Sequence, residues 1–283
     1  MEIKYNHIVN KFVQWGQKCD TLKAALIIGS QARKEHVADD YSDLDLVMIV
    51  DDHEPFITSK QWLEDFGTLH ISHFVNINTG GWNNWAWRTV YDDVLDIDFA
   101  IVPIKEINTY INPWVLRRGY NILIDKIDLI TTISQIDMPK ISPALPDEVS
   151  FINLANELWY LSIWTAKKIK RGELWTAKVC LDSTMKQKLL TLIEWQTYAT
   201  KGLDCNTWYD GRFIEEWAQK WIIEELVICF SHYSKNDMMK ALLSTMELIN
   251  LIAIEFSAKT NFTYSQSEFD YAINAIQKIN QDS

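Results

Sequence analysis

Cysteine is scarce in this chain, and what there is lies scattered. Cys19, Cys180, Cys205 and Cys229 form no C-x-x-C pair, so neither a disulfide framework nor a zinc site is expected. Free thiols in a reducing compartment are the simplest reading. The six histidines show no metal-ligand spacing either. Positive charge is short: 27 Lys and Arg stand against 38 Asp and Glu, a net charge of −11. Broad binding of duplex DNA needs a basic face, and the sequence offers none. The balance is compatible with a small cationic partner. No uninterrupted apolar run approaches the roughly 18 residues of a membrane span. The opening MEIKYNHIVN has no apolar signal core. A cytoplasmic protein with no membrane partner is expected. Of only six prolines, Pro139, Pro143 and Pro146 fall together in 137–147, which marks a domain boundary. Nothing in the sequence sets the oligomeric state.

What is present is concentrated in residues 24–50. An apolar run, Ala24 to Ile28, ends in Gly29-Ser30. A polar loop follows, and then Asp43-Leu44-Asp45 opens a second apolar run to Val50. Side chains alternate along a strand, so Asp43 and Asp45 share a face, roughly 7 Å apart. Two such carboxylates repel unless a cation joins them. Mg²⁺ is the natural guest, being a hard cation held by carboxylates and substrate phosphates. Gly29 lets backbone N–H groups approach a phosphate, and Ser30 adds a hydroxyl donor. A bare D-x-D pair also fits the solvated start of a strand.

The rest of the chain divides by its periodicity. Its 283 residues and 48% apolar content suit two domains with sizeable cores. Residues 3–18 read as an amphipathic helix. Strands are expected at 24–29, 44–50, 69–77, 85–91, 94–104 and 120–124, with a turn at Gly80-Gly81. Thr58 or Ser59 caps a short helix carrying Trp62, Leu63 and Phe66, and Lys105 to Ile111 reads as another. Asp96 and Asp98 share a face of the buried strand 94–104. On a neighbouring strand, Asp98 could complete a three-carboxylate site, although either acid also serves as an edge-strand solubility device. Beyond the prolines, helices are expected near 148–171, 173–200, 212–231, 235–258 and 266–280. Gly172, after Lys167-Lys168-Ile169-Lys170-Arg171, fits a helix end with cations on its negative pole. The expected organisation is a domain over 1–136, a linker at 137–147 and a helical domain over 148–283.

Gly29-Ser30 followed by Asp43-x-Asp45 resembles the signature of the DNA-polymerase-beta-like nucleotidyltransferases. Asn156-Glu157-Leu158-Trp159, Ala166-Lys167-Lys168 and Arg171-Gly172-Glu173-Leu174 look like the helical domain of the streptomycin (aminoglycoside 6-) adenylyltransferases. Residues 97–104 and 123–126 resemble that family as well, and this favours Asp98 over Asp96. The resemblance implies an α+β fold. An N-terminal nucleotidyltransferase domain, a mixed β-sheet flanked by helices, precedes a C-terminal helical bundle that binds substrate. It implies Mg²⁺-dependent transfer of AMP from ATP to an aminoglycoside hydroxyl. Asp43, Asp45 and Asp98 would be the metal ligands, for two ions, and Gly29-Ser30 the phosphate loop.

Three features depart from the usual family pattern: Gln31-Ala32-Arg33 after Gly-Ser, leucine between the paired acids, and Lys168 in place of glycine. They bear on the acceptor, so a lincosamide, a metabolite, a protein or a tRNA end stays open, as does a non-catalytic nucleotide-binding module. Glu157, beside Trp159, Tyr160 and Trp164, is the candidate general base or acceptor-binding carboxylate, because desolvation raises a carboxyl pKa. Its plain alternative is an exposed helix glutamate. Lys167 and Lys178 read as triphosphate ligands or as a solvated helix face. Arg33 reads equally as a phosphate ligand or a surface arginine. Most of the 13 tryptophans are expected in cores.

Overall fold

The computed structural model describes residues 3–79, 82–107, 116, 118–135 and 143–281. It divides into two compact units, 1–140 and 141–283.

The first unit is built on a six-stranded mixed sheet. Its strands are β1 (Leu22–Ile28), β2 (Leu44–Val50), β3 (Leu69–Thr79), β4 (Trp82–Tyr91), β5 (Leu95–Pro103) and β6 (Asn121–Asp125), in the order β3-β4-β5-β2-β1-β6. Neighbours are antiparallel except the central pair, β2 and β5. Parallel strands need a long crossover, and the β3–β4 hairpin lies within it. Both faces of the sheet are covered, which is why β1 and β2 read as nearly continuous apolar runs. On one face Leu44, Leu46, Met48 and Val50 join Phe99 and the buried side of helix α1 (Asn6–Lys18), Ile8, Val9 and Phe12. Phe66 stacks on Phe99, and Trp62 meets it edge-on. On the other face Val47, Ile49 and Val102 pack with Leu129 and Ile133 of helix α3 (Leu129–Ser134). Asp45 therefore points to the second face, because it alternates with the buried leucines of the first.

The segment after β2 differs from its expectation. Helix α2 (Glu54–Thr58) begins earlier, with proline in its first turn, and Gln61–Asp65 forms a 3₁₀ turn. Proline suits the first turn, where its missing N–H would have no partner. Ser59 accepts from the Gln61 amide at 3.2 Å and ends α2 as its C-cap rather than opening a helix. A 3₁₀ turn at Ile104–Glu106 opens the stretch expected to be helical; 108–111 lie outside the described residues. So do Gly80-Gly81 and residues 137–142 of the expected linker.

The second unit is helical: α4 (Glu148–Lys170), α5 (Leu174–Val179), α6 (Met185–Lys201), α7 (Ile214–Trp217), α8 (Lys220–Leu226), α9 (Lys235–Thr260) and α10 (Gln266–Gln281). Asp147 caps α4 by accepting from the Ser150 amide at 2.7 Å. Gly172, at φ +76°, lies just past its end as expected. Helix α9 is long and apolar enough, by length and composition, to cross a bilayer. Here it is a core element: Met246, Ile249, Ile252, Ala253 and Phe256 are all fully buried. Phe256 packs on Phe151 of α4 and Trp195 of α6, and Trp159 of α4 meets Phe269 of α10.

Candidate functional site

The two strand-borne acids meet through register. Asp45 of β2 stands directly beside Asp98 of β5, and beside Ile28 of β1 on its other flank. Parallel neighbours lie about 4.8 Å apart, so both carboxylates rise from one spot on one face. Asp96 pairs with Val90 and lies one residue before the first pair of β5 with β2. Asp43 precedes β2 by one residue. Its carbonyl accepts from the Ser30 hydroxyl at 3.4 Å and the Gln31 side-chain amide at 3.3 Å.

Gly29 turns the chain off β1 at φ +70°, a conformation that favours glycine. The turn brings the bare α-carbon against Asp45. A Cβ there would lie 2.0 Å from Asp45 Oδ2. The following 3₁₀ turn, Gly29–Gln31, buries Ser30 and Gln31. Gly119, at φ +126°, backs the same loop, where a Cβ would press on the Ala32 carbonyl at 2.3 Å.

Two residues that the sequence did not single out, Arg88 and Tyr5, shape this corner, together with Gln31. Arg88 of β4 is in register with Asp98, and its Nε donates to Asp98 Oδ2 at 3.1 Å. Buried Tyr5 donates to the carbonyls of Ser42 at 2.9 Å and Asp96 at 3.2 Å, tying the entrances of β2 and β5 together. Burial, with Asp96 and Asp43 nearby, pushes its phenol well above the ordinary value. Gln31 fastens the loop to Asp43. Burial also raises the Asp98 carboxyl; the Arg88 guanidinium pulls it back, and Asp43 adds to the rise. As the side chains lie, no three His, Cys, Asp or Glu among the described residues are gathered as a metal-ligating set.

The other expected residues are held locally. The Arg33 guanidinium turns back to the His36 carbonyl at 2.5 Å. In the second unit, Glu157 is exposed on α4 and pairs with Lys188 of α6 at 2.8 Å. Lys167 is exposed in the last turn of α4. Lys178 is bound to Asp182 and to both the carbonyl and hydroxyl of Ser231.

Three curated relatives are similar over most of the chain. Aminoglycoside 6-adenylyltransferases of Bacillus subtilis (strain 168) and Staphylococcus aureus are each 22% identical. They match over 93% and 92% of this chain and 92% and 93% of their own lengths. One from Campylobacter jejuni is 19% identical over 86% of this chain and 84% of its own. A solved structure of an aminoglycoside 6-adenyltransferase from Bacillus subtilis covers all of both chains, with 18% identity and a TM-score of 0.47. The family model of streptomycin adenylyltransferase matches residues 3–279, and with nearly the whole sequence inside that match, the chain belongs to the streptomycin adenylyltransferase family of nucleotidyltransferases.

Proposed function

We propose that this protein transfers AMP from ATP to a hydroxyl of a streptomycin-like aminoglycoside. The observation that carries the reading is the pairing of Asp45 with Asp98 beside the Gly29 turn, in a chain of this family. In the reaction the acceptor oxygen forms a bond to the α-phosphorus. The bond from that phosphorus to the bridging oxygen breaks, and pyrophosphate leaves.

The donor set fits a hard divalent cation. Carboxylate oxygens from Asp43, Asp45 and Asp98 lie on or beside one pair of strands, and oxygen ligands are what Mg²⁺ prefers. Asp43 and Asp45 would hold two ions and Asp98 one of them. When bound, Mg²⁺ would stabilise charge on the entering and leaving oxygens. Gly29 lets the turn close against Asp45, and the turn's backbone N–H groups with the Ser30 hydroxyl are the proposed donors to phosphate. Arg33 is a candidate phosphate ligand only on leaving the His36 carbonyl.

In the helical unit, Glu157 is proposed as the group that meets the acceptor. Its present partner is the Lys188 ammonium, the kind of cation that an aminoglycoside carries, and the same carboxylate is the candidate base for the hydroxyl proton. Lys167, exposed at the end of α4, is the better of the two lysine candidates for the triphosphate, since the Lys178 ammonium is satisfied within its own unit. A cytoplasmic location, where ATP is at hand, suits this reading.

The test is mass spectrometry of streptomycin after incubation with the protein, ATP and Mg²⁺. The expected product is streptomycin plus one AMP, lost by at least a hundredfold in Asp45→Asn. An equal yield from Asp45→Asn would overturn the carboxylate site. Pyrophosphate release with a different acceptor, and no streptomycin adduct, would keep the chemistry and replace the substrate.

A further inference from the structure

The strand row that bears the carboxylates also bears a permanent cation. Across the sheet, register runs from Arg88 on β4 to Asp98 on β5 to Asp45 on β2. Neighbours in register present their side chains to the same face. Arg88 Nε donates to Asp98 Oδ2 at 3.1 Å, with the arginine side chain 52% exposed and the aspartate 30%. A guanidinium stays charged at any ordinary pH and offers only donors. The Asp98 oxygen that faces Arg88 is therefore engaged, and no three acids among the described residues are gathered as ligands.

We propose that Arg88 is the resident cation of this site: it holds Asp98 in the metal-free protein, and a divalent ion must take the carboxylate from it. The proposal rests on the reading of Asp43, Asp45 and Asp98 as metal ligands. Adjacent carboxylates at Asp45 and Asp98 repel each other, and a neighbouring guanidinium relieves that repulsion without closing the site. The pair is half exposed, so it is weak enough to exchange. Arg88 thus sets how readily the site fills, by competing for a ligand and by placing a fixed positive charge beside the incoming one. The plain alternative is a cross-strand ion pair that only supports the sheet. The two differ in sign. Removing a competitor tightens metal binding, whereas removing a support leaves it unchanged or weakens it.

The experiment is a Mn²⁺ titration of the full chain without nucleotide, followed by electron paramagnetic resonance of the free ion. Arg88→Gln is expected to bind Mn²⁺ about tenfold more tightly than the unaltered protein. Arg88→Met, which keeps the stem and loses the charge, should show the same gain, and Arg88→Lys should stay within about twofold. Adding Asp98→Asn to Arg88→Gln should erase the gain, as expected of coupled groups. Circular dichroism checks that each variant is folded. Unchanged or weaker binding in both Arg88→Gln and Arg88→Met, with binding lost in Asp45→Asn, would overturn the role of Arg88 and leave the metal site standing. Binding by Asp45→Asn equal to that of the unaltered protein would instead remove the metal-site reading itself, and this proposal with it.

Discussion

Gly29 shows how much one missing methyl group decides. Its φ of +70° disfavours any L side chain, and the space a Cβ needs is already taken by Asp45 Oδ2. Both effects act together in Gly29→Ala. The substitution should cost about 1–3 kcal/mol for the strained backbone alone and push Asp45 out of place. Urea denaturation should show the loss of stability, and AMP transfer should fall at least a hundredfold. Retained activity would mean that the Gly29–Asp45 approach is incidental. Gly29 and Asp45 were legible in the sequence because strand, turn and acid pair are close along the chain and obey a period of two. Arg88 and Tyr5 were not. Arg88 matters only through the register of β4 on β5, and Tyr5 only because its phenol reaches carbonyls 37 and 91 residues away. The reading of Asp98 over Asp96 depended on resemblance. The pairing of β5 with β2 then supplied a physical reason, since it sets Asp98 in register with Asp45.

The central strands were legible because they combine an apolar run with clear boundaries; β2 spans the expected residues. The helices after residue 172 were less so. The run expected as one helix over 173–200 carries a π turn at Cys180–Thr184 between α5 and α6. The one expected over 212–231 breaks into α7 and α8 at Ala218-Gln219. Apolar periodicity passes smoothly through both places. What interrupts the second is a set of distant polar partners: Lys201 donates to the Trp217 carbonyl at 2.8 Å, and Gln219 to Glu255 at 3.1 Å. These part-buried groups find partners across the unit rather than along a continued helix. Within α6, Glu194 is a carboxylate whose burial raises its pKa from 4.5 to about 7. The folded protein holds that proton more tightly than the unfolded chain. Its contribution is fully present below pH 4.5 and is lost as pH rises towards 7. Glu194→Gln should therefore be the more stable protein at pH 7.5, by on the order of 1–3 kcal/mol at about 1.4 kcal/mol per pKa unit. The two should melt alike at pH 4.5. Lys186, which burial lowers to about 8, is present in both proteins, so its own titration cancels from the comparison. An equal advantage for the variant at both pH values would show that packing, not charge, explains it.

At the scale of the molecule, the two units hold separate cores with no residue in common among the described residues. The first is a sheet whose central strands are covered on both faces, with a parallel, non-local central pair. The second is a set of helices around α9. Composition and the proline cluster predict two domains, since each half has enough apolar sequence to bury on its own, and the chain divides into compact units at 1–140 and 141–283. Separate cores predict separable unfolding. Calorimetry should resolve two transitions, and each should answer to its own perturbation. Phe256→Ala empties a fully buried position in α9 and should lower only the helical transition, by about 3–5 kcal/mol. Mg²⁺ with a non-hydrolysable ATP analogue at a hundred times its Kd should raise the sheet transition by about 2.7 kcal/mol. Should the analogue raise both transitions equally, the helical unit must share the nucleotide, and Lys167 becomes the first residue to substitute. If it raises only the sheet transition, the nucleotide is held by the Gly29 turn and the three aspartates, and the helical unit is left to recognise the acceptor.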